Sequence, residues 1–161
     1  MTANENEEDL MGVADFLTEY KTFQNFEEPD LAALSEECTE GAFKKDEVIF
    51  PEESPGDKMY IVRQGSVKVY KKIKNNDTTL AVLGPGEFFG EMALLDGGAR
   101  SAAAKAIEDV KALVISIKNF ETLREKQPQV ALRIMDVLVR TLSTRLRQAN
   151  KNLEVISFWI D

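Results

Sequence analysis

Histidine is absent from this chain of 161 residues, and cysteine occurs once, at Cys38. Without histidine, the chain cannot assemble the Ser/His or Cys/His pairs of nucleophilic catalysis, and a lone cysteine excludes the usual metal clusters. A single cysteine also cannot form an internal disulfide, as is typical of proteins from a reducing compartment. We therefore expect a cytoplasmic protein that is not an enzyme and that holds no metal.

Long hydrophobic runs are also lacking. The richest one, residues 130–142, is interrupted by Arg133, Asp136 and Arg140, whereas a membrane-spanning helix needs about 20 consecutive apolar residues. The first 20 residues show neither the basic start nor the apolar run of a secretory signal. The net charge is −8, with acidic residues crowding the first 40 positions, which disfavours bulk binding to nucleic acid. The sequence predicts a soluble protein without a membrane span.

The spacing of apolar residues changes along the first part of the chain. Residues 1–11 are polar and acidic, and they predict a flexible N-terminus. From residue 12 to residue 40 the apolar positions recur every three or four residues, which predicts short helices, with Pro29 near the start of the second. After Gly41 the period changes to two. This change indicates that a β-structure follows the helices.

Frequent turn signals divide the β-region into short segments of the count and spacing expected for an antiparallel sandwich or barrel. Alternation within one segment predicts that Val67, Val69 and Ile73 face the core. The predicted strands cover residues 47–50, 59–63, 66–73, 78–83, 101–106 and 110–117.

A helical period returns after Ile117. Asn119 is predicted to cap a short helix, and Pro128 to begin a long helix that ends near Leu153. The first half of this helix is apolar on more than one face, whereas the second half narrows to a seam that indicates a helical partner. The tail that follows is apolar and contains Trp159, which predicts docking on this chain or on a second one. We assign residues 12–127 to one domain and residues 128–161 to its C-terminal helix and tail. The residues of the seam are Leu142, Leu146, Ala149 and Leu153.

Two charges interrupt the small and apolar stretch FFGEMALLDGGARSAAAKA, residues 88–106. A short helical turn opening after Gly90 would leave N–H groups that favour an anion. Arg100 can bring its planar guanidinium to the same anion, beside the Ser101 hydroxyl. Glu91 would repel an anion, but it can accept a hydrogen bond from a hydroxyl of the same ligand, as an acidic residue does for ribose in dinucleotide folds. The pair indicates a ribose and a phosphate; the alternative is that Glu91 and Arg100 pair with each other.

This stretch resembles the phosphate-binding cassette of the cyclic nucleotide-binding domain family, whose pattern is Phe-Gly-Glu-(Leu/Met)-Ala-Leu, a short turn, then Arg-(Ala/Ser/Thr)-Ala. Here the pattern stands as FGEMALLDGGARSA. The segments KKDEVIFPEESPGDKMYIVRQGSVKVY and GPGEFFGE match the first hairpins and the lead-in, so the resemblance covers residues 12–150. It implies an α+β, mainly β fold: an antiparallel, jelly-roll-like β-roll with N-terminal helices, a short cassette helix and a long C-terminal helix.

The resemblance also implies roles for individual residues. Glu91, with Gly90 beside it, would bind the ribose 2′-hydroxyl, and Arg100 would bind the cyclic phosphate. Val69 and Phe89 match apolar positions that line the pocket in relatives, and both are equally consistent with an ordinary core. The residues that would complete the phosphate cradle are Ser101, by its side chain, and Gly90, Met92, Ala93 and Ala102, by their backbone N–H groups.

The long helix departs from the activators of this family. Where they place a Thr-Ser pair against adenine, this sequence has Arg145 and Leu146. Arg145 either stacks on the purine by a cation–π contact or is a solvated arginine near a helix C-terminus. Thr141 and Thr144 are further candidates for a base contact. Those activators continue into a winged helix-turn-helix, which this sequence does not contain, so we expect no direct contact with nucleic acid.

These observations lead to the hypothesis of a non-catalytic cyclic nucleotide sensor without a resident cofactor. Movement of the C-terminal helix would signal to a partner, either a second copy in a homodimer or another protein. Ser101, rather than Thr, follows Arg100, which favours cAMP over cGMP as the ligand, since relatives selective for cGMP often carry Thr near that site. Two alternatives remain: a ligand-free scaffold that dimerises or docks a partner, and the sensory fragment of a transcription regulator, kinase or channel.

Overall fold

The structure is a computed structural model that describes residues 12–160, with side chains through residue 155. Helix α1 covers residues 12–18 and is followed by a 3₁₀ turn, Lys21–Phe23. The other helices are α2 (Glu28–Glu36), α3 (Glu91–Asp96), α4 (Ile117–Lys126) and α5 (Pro128–Ile160). The strands are β1 (Thr39–Phe43), β2 (Val48–Phe50), β3 (Lys58–Gln64), β4 (Val67–Ile73), β5 (Asn76–Leu83), β6 (Phe88–Phe89), β7 (Ala103–Ala106) and β8 (Val110–Ser116).

These strands form two four-stranded antiparallel sheets, with the orders β1-β8-β3-β6 and β2-β7-β4-β5. The predicted β-roll with flanking helices is therefore confirmed, and each of the six predicted strands has its counterpart. The prediction of helix up to residue 40 is wrong at its end, because Thr39 begins β1 and pairs with Val114 of β8. That pairing joins residues far apart in the sequence, so local apolar spacing does not reveal it.

Strand β3 connects two hydrophobic cores because its alternate side chains point to opposite faces. Tyr60 and Val62 join a cluster between the two sheets, whereas Met59 and Ile61 join a cluster between the first sheet and the helices. Both faces of this strand are thus buried. The helices contribute to the second cluster through α1, α2, α4 and the first half of α5.

Strand β4 does not keep the strict alternation expected of it. Val67 is buried and Val69 is half-buried, but Ile73 is 50% exposed, so the prediction that Ile73 faces the core is wrong. The register with β5 shifts between Val69 and Tyr70, a bulge that turns Tyr70 inward in its place. Strand β4 pairs with β7 only as far as Tyr70, so Ile73 lies in the two-stranded end of the hairpin.

Helices α4 and α5 form the C-terminal part of the described chain, and their boundaries differ in part from the prediction. Ser116, not Asn119, is the N-cap of α4, since its Oγ accepts a hydrogen bond from the Asn119 N–H at 3.0 Å; the predicted Asn119 cap is wrong. Helix α5 begins at Pro128 as predicted but continues beyond Leu153 to Ile160. No helix of the described part of the chain is long and apolar enough to cross a membrane. The predictions for residues 1–11 and for the Trp159 side chain lie outside what the structure describes.

Candidate functional site

The stretch that carries both charges runs from β6 through α3 to the loop before β7. Gly90 separates β6 from α3 and has a φ of 74°, in the left-handed region that favours glycine. A Cβ at this position would lie 2.6 Å from Arg100 Nη1 and 3.1 Å from the Lys58 carbonyl oxygen. Glycine is therefore required here both for backbone conformation and for space.

Arg100 is buried at the end of the sandwich, with 5% of its surface exposed. Its Nη1 donates to the Gly90 carbonyl oxygen and its Nη2 to the Lys58 carbonyl oxygen, each at 2.8 Å. The guanidinium carbon lies 4.0 Å from the centroid of the Phe50 ring, a cation–π contact. Arg100 Nε is buried and has no hydrogen-bond partner among the described residues.

The charge of Arg100 is not matched by a carboxylate. Among residues 12–155, no Asp or Glu oxygen lies within ion-pair distance of its guanidinium. Burial lowers the pKa of Arg100 from its ordinary value, while Tyr60, Asp57 and Glu91 act in the opposite direction. A buried cation without a counter-ion is unfavourable. An anion close to Arg100 would therefore be electrostatically favourable.

The loop that faces Arg100 is shaped around it. A Cβ on Gly56 would come within 2.4 Å of Ala93 Cβ and 2.9 Å of Arg100 Nε, so glycine allows the close approach. The backbone of Arg100 is held on the same loop: its N–H donates to the Ser54 carbonyl, and its carbonyl accepts from the Glu53 N–H. These hydrogen bonds hold the Arg100 backbone against the loop that contains Gly56.

Glu91 is equally buried, at 5% exposure, but it does not pair with Arg100. Its Oε1 accepts a hydrogen bond from Arg145 Nη1 of α5 at 2.8 Å. Arg145 Nη2 donates to the Phe88 carbonyl oxygen at 2.7 Å, and the guanidinium carbon lies 5.3 Å from the Phe88 ring centroid. The alternative of a Glu91–Arg100 pair is therefore wrong, and so is the interpretation of Arg145 as a merely solvated arginine.

The remaining residues predicted for the phosphate gather around α3. Ser101 is exposed, and its hydroxyl donates to Met92 Sδ at 3.4 Å. Ala93 and Ala102 are buried, whereas Met92 is 44% exposed. The structure thus brings these side chains to the same end of the sandwich as Arg100.

The residues predicted for the base are more scattered. Phe89 is 2% exposed and stacks on Tyr60, with ring centroids 4.9 Å apart and planes 10° from parallel, as a core residue does. Val69 packs against the same inter-sheet core. Thr141 on α5 is half-buried, and the Thr144 hydroxyl donates back to the Arg140 carbonyl oxygen. Of this set, Arg145 alone has a hydrogen bond, among those of the described residues, that joins it to Glu91 or Arg100.

Sequence reasoning missed three contributors to the site: the ring of Phe50 and the carbonyl oxygens of Lys58 and Phe88. No sequence signal marks a backbone carbonyl as an acceptor for a distant arginine. Gly56, in contrast, lies within the hairpin segment that resembles the family, and the close approach of Arg100 explains why a glycine stands there.

Comparisons with known proteins agree on one family. The family model "Cyclic nucleotide-binding domain" matches residues 40–127, more than half of the chain. The Cyclic AMP receptor protein of Thermus thermophilus is 40% identical over 111 residues, which cover 68% of this chain and 50% of the receptor. Glutaminase 1 of Bradyrhizobium diazoefficiens is 32% identical over 141 residues, 88% of this chain but 22% of that protein. This chain thus spans half of the receptor and less than a quarter of the glutaminase.

A solved structure shows the same architecture. The crystal structure of a cyclic nucleotide-binding domain from Methylobacillus flagellatus superimposes with a TM-score of 0.79 at 25% identity, covering 90% of this chain and 82% of that one. The segment matched by the family model begins within β1 and ends after α4, so it includes Glu91, Arg100 and the loop of Gly56. On the strength of this match and of the fold, the chain belongs to the cyclic nucleotide-binding domain family.

Proposed function

We propose that this chain is a non-catalytic sensor of cyclic nucleotides that binds cAMP in preference to cGMP. The observation that carries the proposal is Arg100: a buried cation with a free Nε, held by two carbonyl oxygens and matched by no carboxylate within the described residues. A singly charged phosphate diester supplies the missing negative charge and the missing acceptor. Membership of the family supports a cyclic nucleotide as the bearer of that phosphate.

The other residues then have complementary roles. Arg100 binds the cyclic phosphate, together with the Ser101 hydroxyl and the backbone around Ala102, Met92 and Ala93. Glu91, with Gly90 beside it, accepts a hydrogen bond from the ribose 2′-hydroxyl. A buried carboxylate favours a neutral hydroxyl donor over a phosphate, because it would repel the phosphate. The preference for cAMP rests on Ser101, which stands where relatives selective for cGMP often carry Thr.

Helix α5 is the element through which occupancy would be signalled. Its first half is packed into the core by buried Val130, Ala131, Ile134 and Leu138. Its second half, residues 146–155, is exposed. Arg145 stands between the two halves and contacts Glu91. A change at Glu91 therefore reaches the helix directly.

The exposed face of α5 supports a second copy of this chain as the partner. Four large apolar side chains on this face are each more than half exposed and recur every seven residues. A seven-residue repeat is the pattern of a helix that supercoils around another helix. We propose a homodimer formed along this face. The four residues are Leu132, Val139, Leu146 and Leu153.

One observation favours the alternative of a ligand-free scaffold. Glu91 already has a partner in Arg145, so its burial does not by itself require a ribose. Arg100 argues the other way, because its free Nε has no such partner in the described chain. The scaffold would dimerise along α5 irrespective of nucleotide.

Isothermal titration with cAMP, cGMP and 5′-AMP distinguishes the proposed sensor from the ligand-free scaffold. We expect binding of cAMP, weaker binding of cGMP, and a loss of about 100-fold or more in cAMP affinity for Arg100→Ala, since a buried phosphate would lose charged hydrogen bonds. Arg147→Ala is the matched control, because Arg147 is an exposed arginine of α5. Thermal unfolding of each variant reports whether it folds. If Arg100→Ala does not fold, Arg100→Lys, which retains the positive charge, takes its place in the titration. Equal binding by wild type and a folded Arg100 variant, or no binding of either nucleotide at millimolar concentration, would rule out the sensor.

A further inference from the structure

Arg145 occupies the carboxylate to which we assign the ribose. Its guanidinium donates to Glu91 Oε1 at 2.8 Å and to the Phe88 carbonyl oxygen at 2.7 Å. The Glu91 side chain is 6% exposed, whereas that of Arg145 is 34% exposed. The buried carboxylate is therefore bonded to an arginine that itself remains partly exposed.

Two donors would then be directed at one buried carboxylate, whose Oε1 already accepts from Arg145. A ribose 2′-hydroxyl and the Arg145 guanidinium both donate hydrogen bonds, and Glu91 is the carboxylate that both would use. Glu91 is almost fully enclosed, and the partly exposed Arg145 side chain is bonded to its Oε1. The second bond of Arg145, to Phe88, belongs to the same arrangement and would be disturbed together with the first.

We propose that Arg145 is a positioning residue that holds Glu91 until a ribose hydroxyl displaces it. This inference rests on the proposed function. The exchange involves no covalent step: one hydrogen bond to Glu91 is replaced by another, and Arg145 is released towards solvent. Because Arg145 lies where α5 leaves the packed domain, its release frees the exposed half of the helix from β6 and α3. Part of the free energy of nucleotide binding would thus be used to detach the second half of α5 from β6 and α3.

The exchange makes a prediction opposite in sign to that of a base contact. If Arg145 stacked on the purine, its removal would weaken nucleotide binding. If Arg145 competes with the ribose, its removal strengthens binding, because the ligand no longer displaces it. The gain must also depend on the 2′-hydroxyl, since a nucleotide without this group does not take Glu91 from Arg145.

The experiment is a set of four titrations, in which cAMP and 2′-deoxy-cAMP are each titrated into wild type and into Arg145→Gln. We expect cAMP to bind Arg145→Gln about fivefold more tightly than wild type, the order expected for a partly exposed ion pair, and 2′-deoxy-cAMP to bind the two proteins equally. Arg145→Lys, which retains the charge but not the fork to both acceptors, should fall between them. Arg147→Gln, also on α5, should bind both nucleotides as wild type does.

Each outcome has a distinct meaning. Weaker binding of cAMP and of 2′-deoxy-cAMP by Arg145→Gln would overturn the exchange in favour of a base contact. An equal gain for both nucleotides, or no change, would overturn it as well, because neither depends on the ribose hydroxyl. If wild type bound cAMP while the four titrations showed no such difference, only the exchange would fall. If wild type bound no cyclic nucleotide, the proposed function would fall, and the exchange with it.

Discussion

Gly90 and Gly97 flank the six residues of α3, and both have a positive φ, 74° and 66°. They differ in their surroundings. A Cβ on Gly90 would lie 2.6 Å from Arg100 Nη1, whereas a Cβ on Gly97 would meet nothing within 4 Å. Replacing either glycine would therefore strain the backbone, but only a side chain at position 90 would also clash with Arg100. Comparing substitutions at the two positions separates strain from clash.

We expect Gly97→Ala to lower the free energy of unfolding by about 1 kcal/mol, the cost of a left-handed backbone alone. Gly90→Ala should lower it further and should also weaken cAMP binding, because the new methyl group pushes the Arg100 guanidinium away from the Gly90 carbonyl. Urea denaturation measures the first effect and isothermal titration the second. If the two variants had the same free energy of unfolding and the same affinity for cAMP, the packing of Gly90 against Arg100 would not contribute to cAMP binding.

Residue by residue, the sequence predicted the two buried charges of the site but not their partners. Glu91 and Arg100 were identifiable because charges are rarely buried without a purpose. The contact between Arg145 and Glu91 joins residues 54 positions apart, and it depends on how far α5 turns before it passes α3. Local spacing contains no information about that crossing. Phe50 could not be assigned to Arg100 either, because the pairing of its strand, β2, with β7 joins residues far apart in the sequence.

Among the secondary-structure elements, α4 links the sandwich to α5. Its N-cap, Ser116, accepts a hydrogen bond from the Asn119 N–H, while Asn119 Nδ2 donates to the Glu37 carbonyl oxygen after α2. The two polar side chains thus have different roles. Ser116 accepts a hydrogen bond from an N–H group in the first turn of α4. Asn119 connects α4 to the segment between α2 and β1. The sequence prediction gave the cap to Asn119 because both residue types favour that position.

Ser116→Ala should therefore lower the free energy of unfolding by about 1 kcal/mol, the usual cost of losing an N-cap. Lys118→Ala, at an exposed position of the first turn of α4, should change it little. Chemical denaturation of both variants measures the difference. A Ser116→Ala protein as stable as Lys118→Ala would contradict the assignment of the cap.

Element boundaries were predictable where composition changes sharply and not where pairing decides them. Pro128 marks the start of α5 in both the sequence and the structure. Strand β6 has two residues and was missed, since a run of this length has no period of its own. The bulge in β4 reversed the expected faces after Val69, and it arises from the register with β5 rather than from the residues of β4. Short strands and bulges are therefore properties of the assembled sheet.

In the whole molecule, two faces of α5 have different surroundings: one packs against the chain's own domain and the other is exposed to solvent. The face carrying Ala131, Ile134, Leu138 and Arg145 turns to the chain's own domain. The face carrying the seven-residue repeat is exposed throughout the described helix. Burying a leucine or valine side chain yields about 1.5–3 kcal/mol, so four such residues matched against a second copy offer a substantial driving force. In the homodimer proposed above, Arg145 would lie next to the interface, because it directly precedes Leu146 of the repeat.

Charges placed on the repeat test this dimer. The double variant Leu146→Lys, Leu153→Lys should be a monomer, since two lysines per chain would face two in the partner without compensation. The control Thr144→Lys, Gln148→Lys adds the same charge to other exposed positions of α5 and should remain a dimer. Sedimentation velocity of wild type and both variants, with and without cAMP, measures the association. A wild-type monomer at 100 times the concentration used for titration, or a dimer that survives both leucine substitutions, would show that the repeat does not join two copies of this chain.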